Sequence, residues 1–257
     1  MDLEPLLRLW RANDALFDRV EASWWGAVVS DRRFPKIHDV NYARVESRQP
    51  VRLSEVEEVL LPAMTDSGSE RPHVVIFHAE DQTGLLAEAG TRGERIVWDL
   101  VMEHPGAEAD DDDPRVHEVA DPDEAFWRAY RASLEWFGVV HEQTLDQLHA
   151  MERDVFVPAG RRWFAAAIDQ GIDALAGLVV VEGVGYIDHV VTFPRARRHG
   201  LARALTRRSI AEATAAGADR TYLLAEPGSS AAGMYRALGF GAVTQIPSWV
   251  SEPAARG

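Results

Sequence analysis

Between residues 186 and 215 the sequence YIDHVVTFPRARRHGLARALTRRSIAEATA gathers Arg195, Arg197, Arg198, His199 and Arg203 around a single glycine, Gly200. Side chains of that kind, at that density, can hold an anion. The residues on either side say how. Ile187 to Phe193 is a short apolar run with β-branched residues, which predicts a buried strand. Pro194 has no amide hydrogen to give a ladder and ends it. Leu201 and Leu205, one turn apart with alanine around them, predict a helix. The first amides of a helix have no internal acceptor, and the dipole adds positive charge there. A phosphate can take both. Gly200, without a Cβ, lets it come close. The ordinary alternative for a basic cluster is a solvated helix face, which leaves the strand–turn–helix order unexplained.

Arg197-Arg198-His199-Gly200-Leu201-Ala202 fits R-x-x-G-x-A. After a second strand, Thr221 to Ala225, the run Ala231-Ala232-Gly233-Met234-Tyr235-Arg236-Ala237-Leu238-Gly239-Phe240 fits A-x-x-x-Y-x-x-L-G-F. Either piece alone is weak. In this order, with Val190, Thr192 and Pro194 at matching strand-end spacing, they resemble the GNAT superfamily of N-acetyltransferases from Arg115 to Val250. The resemblance implies an α/β (α+β) fold with a mixed, mostly antiparallel sheet flanked by helices. It implies acetyl-CoA as cosubstrate, no metal, and direct attack of an amine on the thioester. It places the pantetheine arm along the backbone of Val190, Val191 and Thr192. It places the pyrophosphate on Arg197, Arg198, His199, Gly200, Leu201, Ala202 and Arg203. The sequence departs from the family at Gly228, where asparagine is common, so no side chain reaches the pantetheine from there.

Amine attack on a thioester needs a deprotonated amine, donors for the oxyanion and, with advantage, an acid for the leaving thiolate. The resemblance makes Tyr235 that acid; the alternative is a packing aromatic. Asp188 and His189 are the titratable residues on the central strand. Asp188 shares the parity of Val190 and Thr192 and is taken as the base, directly or through water. The alternatives are that Asp188 binds the acceptor's cation or caps a loop. Glu226, after the next strand, is the reserve.

The 257 residues are 46% hydrophobic and 26% charged, as in an ordinary globular chain. A net charge of −14 argues against nucleic acid as partner and makes the basic turn stand out. With no cysteine, disulfides and thiolate chemistry are excluded. No apolar run approaches the ~20 residues of a membrane span, and MDLEPLLRLWRAND lacks the pattern of a signal peptide. A cytoplasmic protein with a small-molecule amine as acceptor and no membrane partner is expected. A homodimer is left open, as is a protein N-acetyltransferase or a non-catalytic acyl-CoA sensor.

In chain order a helix is expected from Leu3 to Glu21, a strand over Trp24–Ser30, a helix from Ser54, a strand over His73–Ala79, a helix over Thr83–Gly90 and a strand over Arg95–Glu103. Gln82-Thr83-Gly84 is the nearest match there to a phosphate loop and lacks the basic residues. LLAEAGTRGERIVWDLVME resembles a faded copy of the family's final helix and strands, so residues 1–106 read as a degenerate GNAT-like lobe in tandem with a complete one at 115–257; the alternative is an unrelated α/β cap. Residues 107–114, with Asp110 to Asp113, read as a self-repelling acidic linker. The second lobe reads β-α-α-β-β-β-α-β-α-β, its first helix capped by Asp121 with Phe126, Trp127, Tyr130, Leu134 and Phe137 inward. Gly183-Val184-Gly185 reads as a hairpin turn, because a strand follows where a dinucleotide fingerprint needs a helix. His141 and His149 read as a solvated pair.

Overall fold

A computed structural model describes residues 2–106 and 113–251. Residues 107–112, most of the expected linker, lie outside the described residues. The chain forms two compact units, one of residues 1–9 and 101–243, the other of residues 10–100 and 244–257. Compared with a linear division near residue 106, the two chain ends are exchanged. Each end has contacts that account for this. Arg8 lies 3.8 Å from Glu182, and Ser248 to Val250 pair antiparallel with Val75 to His73.

The unit of residues 101–243 carries β6 (Val116–Glu118), α4 (Glu124–Trp136), α5 (Glu142–Met151), β7 (Arg162–Ala166), β8 (Ala174–Val181), β9 (Val184–Thr192), α6 (Leu201–Ala215), β10 (Arg220–Ala225) and α7 (Ser230–Arg236). This is the expected order up to its last strand. β6, β7, β8 and β9 pair antiparallel in sequence, and β10 joins β9 in parallel. The β8–β9 hairpin turns at Glu182 and Gly183, both with positive φ, the backbone of a two-residue type I′ turn. The turn thus sits one residue earlier than the glycine pair suggests. α4 starts later than expected. Asp123 rather than Asp121 caps it, accepting from the Phe126 amide at 2.8 Å. Phe126, Tyr130 and Leu134 are buried with Trp163, Leu175 and Val191 in the core, while Phe137, expected inward, is 54% exposed.

In the other unit, α1 (Glu4–Asp14), which begins outside it, ends well before Glu21. Residues Arg19–Ser23 form β1, and β2 covers only Gly26–Ser30, because Trp24 and Trp25 make the turn between them. β3 (Tyr42–Val45), α2 (Leu53–Ser67), β4 (His73–Ile76) and α3 (Thr83–Thr91) follow. β5 (Val97–His104) and β11 (Gly241–Val250) close the inventory. β2 pairs antiparallel with β1 and β3, and β3 pairs in parallel with β4. α2 lays Val56, Leu60, Ala63 and Met64 on Val45, Val74 and Ile76. Both units therefore contain a strand, a turn, a helix of 15 residues and a strand parallel to the first. Each is a mixed, mostly antiparallel α/β assembly.

Candidate active site

The parallel register of β9 and β10 runs from Val184/Arg220 to Tyr186/Tyr222 and stops there. Beyond it β9 carries a β-bulge. Leu175 faces Val191 and Gly177 faces Asp188, so Ala176 alone opposes His189 and Val190. His189 takes the extra turn with φ 51°, a conformation costly for a residue with a Cβ. Bulges bend a strand and re-aim its side chains. The consequence is an open cleft of about 420 Å³, lined by Val190 and Thr192, by Arg197, Arg198, Gly200, Leu201, Ala202 and Arg203, and by Ser230, Ala231, Met234 and Tyr235.

The basic turn forms one wall. Arg198 and Gly200 both have positive φ, 67° and 81°, which turns the chain into the first turn of α6. No side chain caps α6. Arg197, Arg198 and Arg203 are exposed, and among the described residues no carboxylate pairs with Arg198 or Arg203. Arg197 donates to the Thr192 carbonyl at 3.3 Å and lies over the Trp136 ring at 5.4 Å. Thr192 Oγ1 is buried without a partner. The turn can take an anion through amides and guanidinium groups together. Arg195 is not part of this wall, since Asp173 holds its Nε at 2.6 Å. His199 does not line the cleft; its Nδ1 lies 3.0 Å from the Arg197 carbonyl.

Tyr235 forms the opposite wall. α7 is short and starts at Ser229, whose Oγ accepts from the Ala232 amide at 3.1 Å. Tyr235 packs edge-on to Phe240 at 5.8 Å. Burial pushes its phenol up to about 12, so it holds its proton at neutral pH.

Asp188 and Val191 stand apart from the cleft. Val191 points into the core. The bulge breaks the alternation on which the parity of Asp188 with Val190 and Thr192 rests. Asp188 instead meets Arg161 Nη2 at 2.7 Å, and Arg161 Nη1 reaches Glu152 at 3.2 Å. Trp163 donates its indole N–H to the other Glu152 oxygen at 2.7 Å. Glu152 opens a π-helical turn, Glu152–Phe156, of a kind frequent at functional sites. Burial pushes the Glu152 carboxyl up, and Arg161 works against that. Burial likewise opposes the charge on Arg161, but Asp188 and Glu152 outweigh it and hold the guanidinium protonated. His189 is enclosed by Tyr130, Phe137 and Trp163, with ring centroids 4.8–5.1 Å away. Burial and then Arg161 push it down to about 3, so it is a neutral ring. Ser133 Oγ donates to the Tyr130 carbonyl at 2.6 Å, which leaves His189 Nε2–H to donate to Ser133 at 2.6 Å. Glu226 is exposed.

Residues 116–240 match the Acetyltransferase (GNAT) family. This region is a GNAT acetyltransferase domain. Acyl transfer is the family's chemistry. Solved structures carry the fold over the whole chain. A conserved protein of unknown function from Staphylococcus epidermidis aligns with a TM-score of 0.73 at 10% identity, over 93% of this chain and 95% of its own. A GCN5-related N-acetyltransferase from Kribbella flavida aligns at 0.65 and 17% identity, over 99% and 97%. A tandem GNAT protein from the clavulanic acid biosynthesis pathway aligns at 0.56 and 13% identity, over 97% and 89%. At those identities they show fold alone. A search with the sequence matches no curated protein. Among the described residues no helix is long and apolar enough to cross a membrane.

Three features of the GNAT domain were not legible in the sequence. Arg115 donates to the His199 carbonyl at 2.9 Å and is itself held by Asp113, so it braces the basic turn across 84 positions. The Glu152–Arg161–Asp188 chain joins residues that carry no motif. His149, expected to be solvated, lies against the Trp127 ring at 4.9 Å.

Proposed function

We propose that the protein is an acetyl-CoA-dependent N-acetyltransferase that acetylates a primary amine of a small molecule. The observation that carries the reading is the single cleft in which the uncapped, basic start of α6 faces Tyr235. In this reading the pyrophosphate sits on the turn at Arg197 to Arg203, and the pantetheine arm follows the unpaired edge of β9 at Val190 and Thr192. The amine attacks the thioester carbonyl, the C–S bond breaks, Tyr235 gives a hydrogen bond or its proton to the leaving sulfur, and the surplus proton on the nitrogen passes to water or back to the phenolate. A phenol near 12 and a free thiol near 8.5 make full transfer uphill by ~5 kcal/mol in water. The burial that raises Tyr235 raises a thiol held against it as well, which narrows that gap. Asp188, the base expected from the sequence, serves here through Arg161 and the bulge, or reaches the amine through water.

One observation favours a second reading, an acyl-CoA sensor without turnover. The carboxylate expected to be the base is committed to Arg161 and does not line the cleft. A mass-spectrometric screen of an amine library with acetyl-CoA separates the two. The enzyme reading requires at least one amine to gain an acetyl group with stoichiometric release of CoA. CoA binding with no acetylated product across cationic, aromatic and aliphatic amines and peptide N-termini would establish the sensor. The cytoplasm as the place of action belongs to the first reading.

A further inference from the structure

His38, Asp39 and His73 converge in the unit of residues 10–100, with one ligand-capable atom from each within 4.8 Å of the others. His38 Nε2 is 3.4 Å from Asp39 Oδ1, and His73 Nδ1 is 3.7 Å from the same oxygen. Two metal–ligand bonds of 2.0–2.1 Å at a tetrahedral angle put the ligand atoms ~3.4 Å apart. Two of the three separations therefore stand close to the edge of such a tetrahedron before any ion is present, and the third lies within 4.8 Å. From this geometry we propose that His38, Asp39 and His73 form a binding site for a divalent ion of the zinc class, with water completing the coordination.

The scaffold supports this. His73 opens β4 and is paired on both sides, with Tyr42 of β3 and Val250 of β11, so its ring is fixed. His38 and Asp39 ride on a 3-10 turn, His38–Val40. That turn is pinned by buried Asn41, which donates to the carbonyls of Phe34 and Ile37 at 2.9 and 2.8 Å and accepts from the Asp31 amide at 3.0 Å. The rings of His38 and His73 meet edge to face at 5.0 Å. Two imidazoles and a carboxylate are the donor set that suits zinc and its neighbours. Asp39 is exposed and His38 half-exposed, which leaves an entry path and room for water. His73 Nδ1 also lies 3.3 Å from the His38 carbonyl. Ligation through that nitrogen gives up this hydrogen bond and moves the ring proton to Nε2. The ion would clamp the 31–41 loop to β4.

The test uses the full chain, stripped with a chelator and titrated with Zn²⁺ calorimetrically and with Co²⁺ by visible absorption. The site predicts one equivalent of Zn²⁺ bound at micromolar affinity or better, and Co²⁺ bands of the intensity that tetrahedral sites give. Asp39→Asn and His38→Gln, both on the surface, should each weaken Zn²⁺ binding at least tenfold while leaving CoA binding and the thermal midpoint of the metal-free protein unchanged. His73→Gln is a weaker probe because the residue is buried. Failure to bind Zn²⁺ at 100 μM, or one equivalent bound equally by wild type and by the Asp39→Asn/His38→Gln double variant, would overturn the assignment.

Discussion

The turn after β9 and the turn after β3 occupy the same place in two strand–turn–helix–strand arrangements, and they have opposite chemistry. After β9 come arginines and a glycine, and α6 starts without a cap. After β3 comes Glu46, whose carboxylate takes Arg44 Nε at 2.6 Å and is also paired with Arg11. The start of α2 is then filled by the chain itself. Gln82, 1% exposed, accepts from the Val51 amide at 2.9 Å and donates to the carbonyls of Ser47 and Gln49 at 2.7 and 2.8 Å. Glu55 accepts from the Arg52 amide at 2.8 Å, and Glu88 accepts from the Leu53 amide at 2.9 Å. At the entry to α2 the amides of Val51, Arg52 and Leu53 are spent on an amide oxygen and two carboxylates. Gln82, which in the sequence belongs to the nearest imitation of a phosphate loop, is the plug that closes the site. A helix N-terminus binds an anion only where the protein has not already supplied one.

The largest effect expected from this contrast is on turnover. Tyr235→Phe removes a donor and almost no volume. Turnover should fall roughly 10²- to 10⁴-fold with CoA affinity within a factor of two or three of wild type. Full activity in that variant, measured by thiol release, would take Tyr235 out of the mechanism.

Next is the plug. Gln82→Ala strands the buried Val51 amide and takes a donor from the carbonyls of Ser47 and Gln49, and should destabilise the protein by about 1–3 kcal/mol, read from urea midpoints. It should create no CoA site, because the arginines are missing. A gain of CoA binding would show that the plug alone separates the two turns.

Acid acts on each unit through a histidine whose ring burial holds neutral. His189 near 3 and His73 near 4 both lie below the 6.5 of an exposed imidazole. The unfolded chain therefore takes up protons first as pH falls. Stability from each group is complete above ~6.5 and declines below it by about 1.4 kcal/mol per pH unit. From pH 7 to pH 5 each should cost about 2 kcal/mol, and His189→Gln should flatten the profile by that amount. An unchanged profile in His189→Gln would show that His189 titrates normally in the folded state.

Gly200→Val tests the open turn. A Cβ at Gly200 would meet only Arg115 Nη2, at 4.0 Å, but φ is +81°, so valine carries backbone strain and points bulk at the anion. CoA affinity should fall at least tenfold, about 1.4 kcal/mol, in a folded protein. Unchanged affinity by calorimetry would remove the phosphate from this turn.

The sequence makes the GNAT domain's element order and its basic turn legible, because the glycine, the arginines and the leucine spacing are local signals. That Tyr235, Val190 and Thr192 line one cleft follows from signals of the same local kind. Asp188 is placed on the wrong face because a bulge adds one residue to β9, and His189 at positive φ leaves no mark in a period-two pattern. Arg115 and Gln82 escape notice because each acts on a backbone far away in the chain. The strand at Arg19–Ser23 is hidden by an apolar spacing that continues the helical period past Asp14. His38, Asp39 and His73 carry no motif, and only the parallel pairing of β3 with β4 brings them together.

One of the two turns is open and the other is closed by its own side chains. Calorimetric titration of the full chain with CoA tests it most directly. One site per chain is expected, lost or weakened at least tenfold in Gly200→Val and untouched in Glu88→Gln. Two sites of similar affinity per chain, or a single site that survives Gly200→Val and disappears in Glu88→Gln, would contradict it.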